Sequence, residues 1–275
     1  MVGCYLVTLY RTSGPLSTGR LGLKGRKSVK NTYTAEQRIT AAFSDRRCEM
    51  DVYHASQLFQ DAFTEFFTQY GCDSIRMSRS HGAAWAIARS KIVYERMPLW
   101  GETVRITVLP VKITSVTIHL NVLVESLEGV PLVRCRQELC AVDVTDHKLR
   151  RVETTPFPVD LAVCPPVLDE PYLRRKGNLD EESLAYRHVV RSTDTDLNGH
   201  MNNVAYVRLL LDAFPSAFWD RHPIRAFDIH YAAESREGEE LQVYRRLEGS
   251  EVMFQIKAGE RNLIKAFLQL GPEEE

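Results

Sequence analysis

A chain of 275 residues, 44% hydrophobic and 26% charged, has material for one large domain or two of about 130 residues each. Its net charge of −1 and pI near 6.7 supply no field that would gather nucleic acid. No apolar run approaches the length of a membrane span, and six scattered cysteines without a C-x-x-C pair read as thiols of a reducing compartment, against a disulfide framework or a zinc site.

Residues 1–34 form a basic N-terminal tail, with Arg11, Arg20, Lys24, Arg26, Lys27 and Lys30 and no acidic side chain. It lacks the basic stretch ahead of an apolar run that a secretory signal needs. It is expected to be disordered and to stand outside the fold. The expected location is the cytoplasm, bacterial first, with the plastid as the alternative if this tail is a targeting segment.

The body then repeats one plan. In residues 35–147 a strand-like run leads through a loop to a helix over 55–70, where Leu58, Ala62, Phe66 and Tyr70 recur every four residues beside Phe59, Phe63 and Phe67. Gly71 supplies its stop. Alternating runs over 87–93, 104–109, 117–125 and 133–144 read as strands. Residues 148–183 hold Pro156, Pro158, Pro165, Pro166 and Pro171, so they are expected as an extended linker. In residues 184–271 a helix over 203–214 is followed by strands over 226–231, 241–247, 252–258 and 263–270. One helix and several antiparallel strands, twice over, give an α+β class in which each sheet wraps its own helix.

Direct alignment supports the duplication. A shift of 151 places Asp45 on Asp196, Met50 on Met201 and Asp61 on Asp212; a shift of 137 places Tyr94 on Tyr231 and Gly101-Glu102 on Gly238-Glu239.

The segment Asp196-Leu197-Asn198-Gly199-His200-Met201-Asn202-Asn203 carries the chemistry. Polar residues at i, i+2 and i+4 share a side only on an extended backbone, so this is a loop entering a helix. A carboxylate and an imidazole beside the free N–H groups of a helix start can activate water and stabilise an oxyanion. Helix capping alone would account for Asn202 or Asn203, but not for the set.

This segment resembles the D-x-N-x-H-x-N-N motif of acyl-ACP thioesterases, and Tyr231-Ala232-Ala233-Glu234 resembles the Y-x-x-E element of that family. The resemblance covers most of residues 34–270, including Tyr94–Glu102 in the first half. It implies a tandem hotdog fold and release of free fatty acid from fatty acyl-ACP, with Asp196, Asn198, His200 and Glu234 as the catalytic set. Asn202 and Asn203 would hold substrate or oxyanion. It implies no cofactor and no metal, and an acyl carrier protein as partner, with no nucleic acid or membrane. The protein would be a monomer or homodimer. Ser235 stands where many plant members have cysteine, which speaks against a thiol nucleophile. In the first copy the positions of Asn198, His200 and Glu234 hold Arg47, Glu49 and Met97, so one site is expected, the first half binding the acyl chain.

Other chemistries lack a foothold: there is no G-x-S-x-G, no H-E-x-x-H and no P-loop. An acyl-CoA thioesterase of the same fold, or a non-catalytic acyl-binding protein, are the alternatives. His54, His81, His119, His147, His188, His222 and His230 are expected to be structural or surface residues. Basic clusters at Arg150-Arg151, Arg174-Arg175-Lys176, Arg187 with Arg191, and Arg208 are candidate steering groups for an acidic carrier or plain solvated charge.

Overall fold

A computed structural model describes residues 31–173 and 177–273. Most of the basic tail, and the cluster Arg174-Arg175-Lys176, lie outside the described residues.

The first half contains β1 (Tyr33–Arg38), α1 (Val52–Thr68), α2 (Ser74–His81), β2 (Ala83–Tyr94), β3 (Thr103–Ile113), β4 (Thr117–Ser126) and β5 (Pro131–Asp143). A short β6 (Leu149–Arg150) pairs with β5. The second half contains β7 (Leu184–Val189), α3 (Asn203–Asp212), α4 (Ser216–Trp219), β8 (Ile224–Tyr231), β9 (Glu240–Glu248), β10 (Glu251–Ala258) and β11 (Arg261–Leu270).

Local chemistry sets these elements. Asp51 caps α1 by accepting from the His54 N–H, and the helix buries Leu58, Phe59, Ala62, Phe63, Phe66 and Phe67 on one stripe. Each such leucine or phenylalanine, once buried, contributes about 1.5–3 kcal/mol. Asn202 caps α3 through the Val204 N–H. That helix ends at Asp212, two residues before the expected limit, because Pro215 opens α4 and cannot extend it.

The strand order is β1-β3-β4-β5-β2-β8-β11-β10-β9-β7, and every pair is antiparallel. Five strands of each half are thus arranged in matching order and meet at β2 and β8, where Lys91 stands opposite Asp228. The expected pair of separate sheets is one continuous sheet. Helices α1 and α3 touch each other, and strands and helices share a single apolar core. This is the tandem hotdog.

The described part of the proline-rich segment holds only the short 3-10 turns Val152–Thr154 and Glu181–Ser183 and the short β6, and it is tied down. Leu120 and Val122 of β4 enter the core, so Asn121 between them points to the other face. There its Oδ1 accepts from the Val167 and Leu168 N–H groups, 2.9 and 3.1 Å away. Phe157 crosses to the helix side and packs among Phe66, Phe67, Tyr70 and Trp85.

Candidate active site

The loop before α3 is closed on itself. The Asp196 N–H donates to the His200 carbonyl at 2.8 Å, and Thr195 bridges to Met201. The Asp196 carboxylate accepts through one oxygen from the Asn198 and His200 N–H groups at 2.8 and 3.4 Å. Gly199 sits at φ +73°, a left-handed conformation that a side chain would strain. The Met201 N–H then donates to the Ser235 carbonyl at 2.9 Å, which fastens this loop to the segment after β8. Arg261 holds the neighbouring Glu234 carbonyl at 3.2 Å.

That fastening turns Glu234 toward the loop. Its Oε2 lies 3.3 Å from Nδ1 of His200, so the imidazole and carboxylate face each other. Asp196, Asn198, His200, Asn203 and Glu234 all line one cavity of about 610 Å³, with Trp85, Ile87 and Ala88 of β2 on its other side. A second hollow of about 730 Å³ shares Trp85, Ile87, Asp196, Leu197, Asn198 and Asn203 with the first and continues over Phe63 and Phe67 of α1.

Two expectations need correction. The Asn202 backbone N–H, expected beside the oxyanion, is spent inside the fold. It donates to the Asp194 carbonyl at 2.8 Å, and the Asn202 side chain caps α3. With the Val204 and Ala205 N–H groups also bonded to Asn202, the Asn203 N–H is the donor this turn leaves over among the described residues. His147 is not merely a surface residue. It closes the turn between β5 and β6 at φ +57°, and its Nδ1 lies 3.6 Å from Glu234 Oε2. Its ring meets that of His200 edge-on at 5.5 Å. No sequence pattern pointed to it, because it belongs to the other half.

The remaining groups fall out of the chemistry. Ser235 is fully buried and its hydroxyl pairs with Tyr206 at 2.6 Å, a structural tie. Burial pushes the Tyr206 and Tyr231 phenols up, so both stay protonated donors. Burial likewise raises the Cys140 thiol, with Glu138 adding to it, so this cavity-lining cysteine is no thiolate. Arg208 pairs with buried Asp194, Arg187 with Glu240 and Arg151 with Glu153. His230 lines a different hollow with Arg89, Tyr172 and Asp228.

The duplication extends to individual bonds. In the first half the Asp45 N–H donates to the Glu49 carbonyl at 2.8 Å, and the Asp45 carboxylate accepts from the Arg47 and Glu49 N–H groups. The Met50 N–H donates to the Pro98 carbonyl, as that of Met201 does to Ser235. Cys48 occupies the left-handed position of Gly199, at φ +62°. The same three positions converge in each copy. In the first, however, Arg47 is bound to Glu49 at 2.8 Å and approaches the Met97 sulfur at 3.8 Å. An ion pair and a thioether replace the imidazole–carboxylate pair.

Comparison with known proteins agrees with this duplicated plan. Residues 30–155 match the acyl-ACP thioesterase N-terminal domain, and residues 177–264 match the C-terminal domain of the same family. The chain belongs to the acyl-ACP thioesterase family. A chloroplastic dodecanoyl-[acyl-carrier-protein] hydrolase of Cinnamomum camphora is 24% identical over 159 residues, 54% of this chain and 41% of that protein. An acyl-[acyl-carrier-protein] hydrolase of Cuphea viscosissima, also chloroplastic, is 23% identical over 68% of this chain and 45% of its own. The chain thus spans less than half the length of these curated relatives. Among solved structures, an acyl-ACP thioesterase of Bacteroides thetaiotaomicron superposes with a TM-score of 0.77 at 17% identity, covering 88% of this chain and 98% of that one. The 12:0-ACP thioesterase of Umbellularia californica gives 0.77 at 17% identity, over 92% and 100%. These two share the fold.

Proposed function

We propose that this chain hydrolyses the thioester of a fatty acyl-ACP, releasing free fatty acid and holo-ACP and so ending chain elongation. The observation that carries this reading is the 3.3 Å approach of His200 Nδ1 to Glu234 Oε2 inside a cavity lined by both halves. Membership of the acyl-ACP thioesterase family supports the substrate class.

In this mechanism the His200–Glu234 pair takes a proton from water as the water attacks the thioester carbonyl. Asn198, from the same loop, positions the water or the carbonyl oxygen. The oxyanion is held by the Asn203 N–H at the positive end of α3. Asp196 acts through the backbone, by shaping the loop that presents His200. The acyl chain runs from this point over Trp85 and Ile87 toward Phe63 and Phe67, where apolar walls replace water around each methylene. The degenerate first half then serves as the chain-binding half.

The test is turnover of acyl-ACP by His200→Ala and Glu234→Gln. Each should fall by about 10²–10⁴-fold while the unfolding midpoint stays near that of the parent. Near-parental rates in both would remove the assignment. Acyl-CoA of matched chain length, run beside acyl-ACP, separates the two carriers. No helix among the described residues is long and apolar enough to cross a membrane. The chloroplast location in the relatives' names supports the plastid alternative. An import assay with residues 1–34 fused to a reporter tests it.

A further inference from the structure

His147, His200 and Glu234 come from three separate places: the β5–β6 turn, the loop before α3 and the segment after β8. Their nearest nitrogen and oxygen atoms nevertheless all lie within 4.8 Å of one another. The carboxylate oxygen Oε2 stands 3.3 Å from one imidazole Nδ1 and 3.6 Å from the other. We propose that these three side chains form a divalent transition-metal site, with zinc the best fit, and that its occupation inhibits hydrolysis. The inhibitory consequence rests on the assignment of His200 and Glu234 to water activation; the binding site does not.

The spacing is that of a metal's ligand shell. A tetrahedral zinc with ligand bonds of about 2.0–2.2 Å has ligand-to-ligand edges of roughly 3.3–3.6 Å. Two edges here already have that length. The third closes by small rotations, because His147 and Glu234 are about half exposed (43% and 49%) while His200, at 13%, is the fixed member. Two imidazoles and one carboxylate suit zinc and its neighbours over magnesium or calcium, which require more oxygen ligands. The fourth position would face the cavity. His147 is presented by a locked turn: its N–H donates to the Asp143 carbonyl at 3.1 Å, and the Asp143 carboxylate accepts from the Thr145 N–H at 2.8 Å. A bound ion ties up His200 Nδ1 and Glu234 Oε2, the two atoms that water activation needs.

The test uses the full chain stripped with a chelator and then titrated with Zn²⁺ and, separately, Co²⁺. Cobalt should bind at one equivalent with the visible bands of a low-symmetry four- or five-coordinate ion, whether or not the protein hydrolyses acyl-ACP. Zinc should suppress acyl-ACP turnover, and chelator should restore it. His147→Ala is read by its metal affinity. It should weaken both metals by more than the about 10–100-fold typical of losing a mere outer-shell partner. Unchanged metal affinity in His147→Ala, the absence of cobalt bands, or a rise in turnover with zinc would each overturn the proposal. Absence of hydrolysis in both the untreated and the stripped protein, with cobalt binding intact, would count against the hydrolase reading alone; turnover lost on stripping and restored by zinc would overturn the inhibition.

Discussion

In the proposed mechanism Asp196 acts on its own loop and not on substrate. Its carboxylate oxygen accepts from two backbone N–H groups of its own loop, one of them that of His200. Asn at this position keeps an oxygen in the same place, whereas Ala leaves both donors without it. Hydrogen bonds to a charged group are worth about 1.5–3 kcal/mol, and each 1.36 kcal/mol of lost transition-state alignment is about tenfold in rate. Asp196→Ala should therefore lose about 10–100-fold in kcat on acyl-ACP, and Asp196→Asn no more than about threefold. Equal, thousandfold losses in both would mean that the carboxylate acts on the reacting atoms directly. The i, i+2, i+4 spacing made Asp196, Asn198 and His200 readable as a group, because only an extended loop lets them share a side. It could not reveal His147, which no local pattern links to the motif. Nor could it reveal that the Asn202 N–H is claimed by a carbonyl, since that depends on where Asp194 lies.

At the scale of elements, the helix α1 was legible from its four-residue apolar stripe, and the strands from alternation, to within a few residues. The limits of α3 came closer than those of α1, its start falling at Asn203 as expected, because the capping asparagines and Pro215 mark its ends although the helix is buried on nearly all sides. What fixes it is a polar clamp. The buried Asp194 accepts from the Arg191 N–H at 2.9 Å, from His188 of β7 at 2.8 Å and from Arg208 of α3. Burial alone would raise its carboxyl, but these three donors outweigh that and hold it below its ordinary value. A carboxyl lowered on folding contributes stability above its unfolded range, and that contribution disappears as pH falls through the folded value. Asp194→Asn should thus cost about 1.5–3 kcal/mol at pH 7. The gap between variant and parent in urea unfolding should close as pH falls through and below the ordinary carboxylate range. A gap that stays constant with pH would show the bond to be worth no more charged than neutral.

For the whole molecule, the decisive feature is the seam between β2 and β8. Two copies were visible in the sequence, yet nothing announced their fusion into one sheet, because strand register between distant segments leaves no local trace. The seam brings the first half's His147 to the second half's Glu234. At its centre Lys91 lies 3.3 Å from Asp228, both almost wholly buried, with Glu170 of the proline-rich segment 3.4 Å from the same ammonium. Burial pushes the Asp228 carboxyl up, and Lys91 opposes that rise. Replacing Lys91 by Met removes the opposition and leaves a buried acid without its ammonium partner. Its folded value then rises further above the unfolded one, so the folded state prefers the proton and loses stability as pH climbs. Lys91→Met should therefore be mildly destabilised at pH 5 and lose up to about 3–5 kcal/mol at pH 8, the usual cost of stranding a buried charge. Adding Asp228→Leu should recover most of that loss and flatten the pH dependence, because a buried pair replaced by apolar groups is often neutral. Urea unfolding of the three proteins at both pH values reads this directly. A Lys91→Met penalty that shrinks toward pH 8 would mean that Asp228 is not what the lysine holds in place.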